Sequence, residues 1–170
     1  MKCFQRLKLV ASFVMVFTIF CFVFDQKQKS AQGVHAQSNK KHAFACAINC
    51  MDGRVQDAVK NYMKEHYKVD YVDMVTEAGP DKILSQEFFT APQKAIVENV
   101  KSRIAISVNH HGTKVIAIAG HDGCAGNPAT KDEQLKHLMA SQNRVKLFGF
   151  KTEVIILWVE SDWKTVKKIN

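Results

Sequence analysis

Two short segments of this chain hold residue types suited to metal chemistry. Cys50-Met51-Asp52-Gly53-Arg54 closes one apolar run, and His121-Asp122-Gly123-Cys124 closes another. Two thiolates and an imidazole suit zinc, and three protein ligands leave a fourth position open, the feature that separates a catalytic zinc from a structural one. Asp52 and Arg54 directly follow Cys50. A carboxylate beside a guanidinium stays ionised, so Asp52 is placed to accept a hydrogen bond from a zinc-bound hydroxide and to aim it at a substrate. Alternatively, Asp52 fills the fourth position itself and shuts the site. Each piece alone is weak. A lone buried cysteine is usually a small core hydrophobe, and Asp at a helix start is favoured by the dipole without any catalytic role.

The elements that must position these residues carry the stronger signal. Phe44 to Asn49 is a short apolar run bounded by turn-type residues and reads as a buried strand. Val55, Ala58, Val59, Tyr62, Met63 and His66 then recur at helical spacing. Tyr71 to Val75 reads as a second strand, broken by Ala78-Gly79-Pro80. Residues 81–92 read as irregular. Pro92 suits the first turn of a helix, whose stripe is Val97, Val100, Ile104 and Val108 and whose stop is Gly112. Lys114 to Ala119 is the third strand. A helix carrying Leu135, Leu138, Met139 and Val145 follows, then the fourth strand, Glu153 to Val159, and a short basic tail from Ser161.

Strands and helices that alternate, with unbroken apolar strands, predict an α/β fold. It has three layers: a central, mainly parallel sheet of about four strands in the order 2-1-3-4, with helices on both faces. In such sheets ligands bind at the carboxyl ends of the strands, where the winding direction reverses. Neighbouring strand ends lie about 5 Å apart, so Cys50, His121 and Cys124 are expected to converge on one point.

Composition narrows the class. The chain has 170 residues, 46% hydrophobic and 24% charged, which suits one packed domain. Of its net charge of +8, half comes from Lys2, Arg6, Lys8, Lys27 and Lys29 set against Asp25. The remaining +4 alternates in sign with acids and is not a nucleic-acid footprint. Residues 1–36 read as a signal peptide or an uncleaved N-terminal anchor: a basic start, an apolar run from Leu9 to Phe24, and small residues around Ala36. The working domain, 44–170 after a polar linker at 37–43, is therefore expected to be exported, periplasmic or secreted, or tethered to the outer face of a membrane.

The two segments resemble the signatures of the β-class carbonic anhydrases, which carry Cys-x-Asp-Ser-Arg after the first strand and His-x-x-Cys after the third. Ala78-Gly79 resembles the Ala-Gly pair that follows the family's second strand. The resemblance runs from about Phe44 to Val159. It implies Zn²⁺ held by Cys50, His121 and Cys124, an orienting dyad of Asp52 and Arg54, and a zinc-bound hydroxide that converts CO₂ to bicarbonate. Relatives with the same zinc core hydrolyse carbonyl sulfide or carbon disulfide, and a non-catalytic zinc domain on the same scaffold is a further alternative. A homodimer is also implied. The chain departs from the pattern at Gly53, where the family has Ser, at Ala125, where it has Gly, and at Thr76-Glu77, where it has Arg-Asn.

Other reactive residues receive plainer readings. Cys46, four positions before Cys50 and on the same face of a regular strand, reads as a buried thiol, with pairing to Cys50 or Cys124 as the oxidised alternative. His110 and His111 read as helix-end histidines rather than proton shuttles. His66 and His137 fall on helices with no chemical role. Trp158 and Trp163 read as core or edge packing.

Overall fold

The computed structural model describes residues 41–170. The expected signal or anchor at 1–36, and the linker up to residue 40, lie outside the described residues. Among the described residues, no helix is long and apolar enough to cross a membrane.

The chain runs β1 (Phe44–Cys50), α1 (Gly53–Tyr67), β2 (Tyr71–Glu77), α2 (Pro80–Ser85), α3 (Ala91–His110), β3 (Val115–His121), α4 (Lys131–Lys146), β4 (Glu153–Val159) and β5 (Val166–Ile169). The sheet order is β2-β1-β3-β4-β5. The first four strands are parallel and β5 is antiparallel to β4. The α/β class and the 2-1-3-4 order stand, with a fifth strand added.

Strand alternation gives the sheet two unlike faces. Ala45, Ala47, Ala117 and Ala119 line one face, with Ile155 and Leu157, and receive Val55, Val59 and Met63 of α1. Cys46, Ile48, Ile116, Ile118, Ile156 and Trp158 line the other, beneath α2, α3 and α4. The winding direction reverses between β1 and β3, and the covering helices change face with it, as crossovers of constant hand require. Hydrogen-bonded pairing of β1 with β3 ends at Ile48–Ile118, while both strands continue toward the site.

Three stretches differ from the sequence reading. The segment expected to be irregular contains α2, which opens on Gly79 in the left-handed region (φ 57°) and Pro80 in its first turn, and buries Leu84. Six residues are too few to display a helical period. The basic tail contains β5, whose four residues, Val-Lys-Lys-Ile, show too short an alternation to stand out. On α4 the buried stripe is Gln134, Leu138, Ser141 and Val145, and Met139 is exposed. The buried polar pair is satisfied in part by backbone: Gln134 donates to Ala129 O (3.2 Å) and Ser141 to Asp81 O (2.7 Å).

One close approach fixes the loops beyond β2 and β3. A Cβ on Gly126 would lie 2.4 Å from Gly79 N and 2.5 Å from Ala78 C, so backbone packs on backbone. Gly126 therefore lets the two loops pack backbone to backbone, which a side chain there would prevent. Gly126→Ala is expected to lower stability by about 1–3 kcal/mol through overpacking. Gly53→Ala, at a helical position with nothing near its Cβ, is expected to be neutral or stabilising by up to about 1 kcal/mol. Chemical denaturation of both variants checks the contrast, and equal effects would contradict it.

Candidate metal centre

Cys50, His121 and Cys124 meet where β1 and β3 end. One ligand atom from each lies within 4.8 Å of the others, and all three residues are buried. The two Sγ atoms are 3.8 Å apart, and Cys46, Cys50 and Cys124 are free thiols. His121 is held by its neighbour: Nδ1 lies 2.9 Å from Asp122 O. A carbonyl only accepts, so Nδ1 carries the proton and Nε2 the lone pair. That Nε2 is buried and has no hydrogen-bond partner. Ligating histidines are oriented in this way, by the hydrogen bond of the other ring nitrogen.

The turn after β1 is fixed from several sides. Asn49, fully buried, accepts from Cys50 N–H (2.9 Å), and Met51 N–H donates to Glu77 O (2.8 Å) at the end of β2. Gln56 Nε2 donates to Cys50 O. Asp52 caps α1 by accepting from Arg54 N–H (3.0 Å). The Arg54 guanidinium grips both carboxylate oxygens, with Nε at 3.0 and 3.1 Å and Nη2 at 2.5 Å. These side-chain and backbone bonds from Arg54 pull the Asp52 carboxyl down to about 2. Both oxygens face Arg54, and Asp52 is not in the three-residue cluster.

The loop after Cys124 is braced from below. Asn127 N–H donates to Cys124 O (3.2 Å), and Asn127 Nδ2 donates to Asp81 Oδ2 (2.7 Å) and approaches His137 Nδ1 (3.1 Å). Burial raises the Asp81 carboxyl above its ordinary value, against the opposing pull of Asn127. His137, read as chemically idle, belongs to this brace.

Two readings change, and that of His111 as a helix-end histidine rather than a shuttle stands. Cys46 packs with the α3 side of the sheet and Cys50 with the α1 side, because the end of β1 no longer follows simple alternation. His111 bonds Asp73 (2.7 Å) and stacks on Phe44, the first residue of β1. That places it about 20 Å along the strand from Cys50, too far for a shuttle. Trp163 is not a packing residue alone: its ring lies 4.2 Å from Arg54 Cζ. Asp162-Trp163-Lys164-Thr165 reads as a turn, since Asp favours turns by bonding backbone two residues on, but nothing in it points to Arg54.

The family model described as "Putative carbonic anhydrase" matches residues 40–170. The chain belongs to this carbonic anhydrase family. Its fold is similar to that of the β-carbonic anhydrase isoform I of Trichomonas vaginalis, at 16% identity and a TM-score of 0.52, over 89% of this chain and 96% of that one. A carbonic anhydrase from Streptococcus mutans is matched at 16% identity and a TM-score of 0.48, over 89% and 97%. No curated protein matches the chain. Within the family pattern, Gly53 occupies the Ser position with open space at its Cβ, so the substitution removes a hydroxyl without distorting the turn.

Burial pushes the Cys46 thiol up to about 12, so it stays protonated and unreactive through neutral and mildly alkaline pH. Iodoacetamide at about pH 8, read cysteine by cysteine by mass spectrometry, is expected to leave Cys46 unmodified until the protein unfolds, and zinc is expected to slow labelling of Cys50 and Cys124. Native labelling of Cys46 as fast as Cys50 would contradict the assignment.

Proposed function

We propose that this domain is a zinc-dependent carbonic anhydrase that interconverts CO₂ and bicarbonate. One observation carries the reading: His121, whose Nε2 is buried and unpartnered, clusters with two buried free thiols. Two soft thiols and an imidazole lone pair fit zinc, and Cys50, His121 and Cys124 are the residues that hold it. Zinc bound there lowers the pKa of a water toward 7 and so supplies hydroxide at neutral pH.

The chain's own residues do the rest. The Asp122 carbonyl fixes the tautomer and tilt of His121. Arg54 donates to both oxygens of Asp52 and so holds the carboxylate as a hydrogen-bond acceptor rather than a fourth ligand to the metal. Asp52 stays ionised and can only accept, so it would accept a hydrogen bond from the O–H of the hydroxide and aim the oxygen lone pair at the carbon of CO₂. Because its carboxyl titrates near 2, Asp52 adds no inflection to the rate above about pH 5. We extend the proposal to a homodimer, from family membership, and to export, from the basic start and the apolar run Leu9–Phe24. A membrane contact through an uncleaved anchor belongs to the same proposal; a nucleic-acid partner does not.

The test is zinc content together with stopped-flow CO₂ hydration across pH. One zinc per chain with hydration is expected. Cys124→Ser is expected to lose both, and Asp52→Asn to keep its zinc while kcat/KM falls about 100-fold. Zinc without CO₂ hydration would overturn the reading. Carbonyl sulfide or carbon disulfide turnover would then point to another small electrophile, and inactivity on all three to a zinc-binding domain.

A further inference from the structure

The β4–β5 turn carries a feature that the zinc chemistry does not require. Trp163 sits in the left-handed backbone region (φ 54°), where a bulky residue is a genuine outlier. Strain of this kind persists only where the surroundings enforce it, and it collects at functional sites. Here the surroundings do enforce it. Trp163 N–H donates to Glu160 O (2.9 Å), and Glu160 N–H donates to Thr165 O (3.0 Å). Asp162 Oδ1 accepts from the backbone N–H groups of Lys164 (2.9 Å) and Thr165 (2.8 Å), and its Oδ2 accepts from Thr165 Oγ1 (2.6 Å). Glu160 in turn receives Lys131 (2.9 Å), Lys167 (2.8 Å) and Trp158 Nε1 (3.0 Å).

This turn projects an indole across the sheet end to Arg54, on α1, at 4.2 Å from Cζ. A guanidinium has an edge and two faces. Asp52 uses the edge, through Nε and Nη2, while Cζ lies over the Trp163 ring, so both contacts are made at once. An exposed Arg–Asp pair alone is a weak and mobile contact. The stack desolvates one side of the guanidinium and removes its freedom to swing into the groove of about 680 Å³ that Arg54 and Trp163 both wall. The turn is also indexed to the metal cluster: Val159, the last residue of β4, pairs with His121, and its carbonyl accepts from Asp122 N–H (3.1 Å).

We propose that Trp163 is the positioning residue of the Asp52–Arg54 dyad, holding Arg54 in the orientation that keeps Asp52 a hydrogen-bond acceptor and not a ligand of the Cys50, His121 and Cys124 corner. The proposal rests on the reading of Asp52 and Arg54 as the dyad. Without the stack, Arg54 is free to rotate and Asp52 is free to ligate at that corner.

The backbone itself supplies the discriminating variant. Glycine adopts a positive φ without strain, so Trp163→Gly deletes the stack and relieves the turn at once. In the full chain, Trp163→Gly is expected to keep its thermal midpoint and its zinc content. Its Arg54 Nε–Hε NMR signal is expected to lose the ring-current shift and to exchange with solvent about tenfold faster, the scale of a partly desolvated cation–π contact. Cobalt-substituted Trp163→Gly is expected to show a visible spectrum altered from wild type, reporting a changed fourth ligand. CO₂ hydration is expected to fall about tenfold, Trp163→Phe to restore most of it, and Trp163→Gly to have no further effect in an Arg54→Ala background. An unchanged Arg54 signal and cobalt spectrum in Trp163→Gly would overturn the proposal, as would a lowered thermal midpoint that alone accounts for the lost rate. If wild type binds zinc but does not hydrate CO₂, the proposed reaction fails, while the NMR and cobalt readouts still decide the role of Trp163.

Discussion

A buried imidazole nitrogen with no partner costs a folded protein about 1–3 kcal/mol, and His121 Nε2 is such a nitrogen. Nearly everything around it serves to keep it in that state. The Asp122 carbonyl takes the proton-bearing nitrogen, so the lone pair has nowhere to go but inward. The flanking sulfurs are weak hydrogen-bond partners that do not satisfy it. Such an arrangement is a poor resting place for a neutral core and a good one for a divalent ion. The sheet topology supplies the rest, because the ends of β1 and β3 lie side by side only where the winding direction reverses.

The two faces of the sheet divide the labour. On the alanine-lined face a single helix, α1, starts directly over the cluster and delivers Asp52 and Arg54 from its first turn. On the opposite face three helices build a thicker layer, and its buried polar groups reach back toward the loop that carries Cys124. Asp81, Asn127 and Ser141 form that brace. A carboxyl raised by burial, as at Asp81, is a cost accepted for geometry: Asn127 can tie Cys124 O down only if its side chain has a fixed partner below.

Much of this was legible in the residues. Unbroken apolar strands alternating with amphipathic helices are a strong pattern, and that pattern alone places Cys50 and His121-x-x-Cys124 at strand ends. On α4, Leu138 and Val145 were legible, but Met139 is exposed and the buried stripe includes Gln134 and Ser141, which hydropathy assigns to solvent. β5 and α2 escaped because four and six residues carry almost no periodicity. The partnership of Trp163 with Arg54 was hidden for a different reason: it joins residues from opposite ends of the domain, and no local pattern encodes where a turn points. Gly126 was partly legible, as a glycine one place late; that its hydrogen atom is all that fits against Gly79 needed the backbone trace.

The β1–β3 pairing also sets an order of events. His121 and Cys124 are neighbours in the chain and are brought near each other by one turn. Cys50 lies 74 residues before Cys124 and joins them only after β1 has skipped past β2 in sequence to dock, in parallel, against β3. Parallel pairings between distant segments form slowly, because loop closure must precede any compensating contact. A three-ligand pocket thus comes into being at the end of folding rather than at its start. The ion that fits it rewards a finished sheet and offers little to a half-formed one.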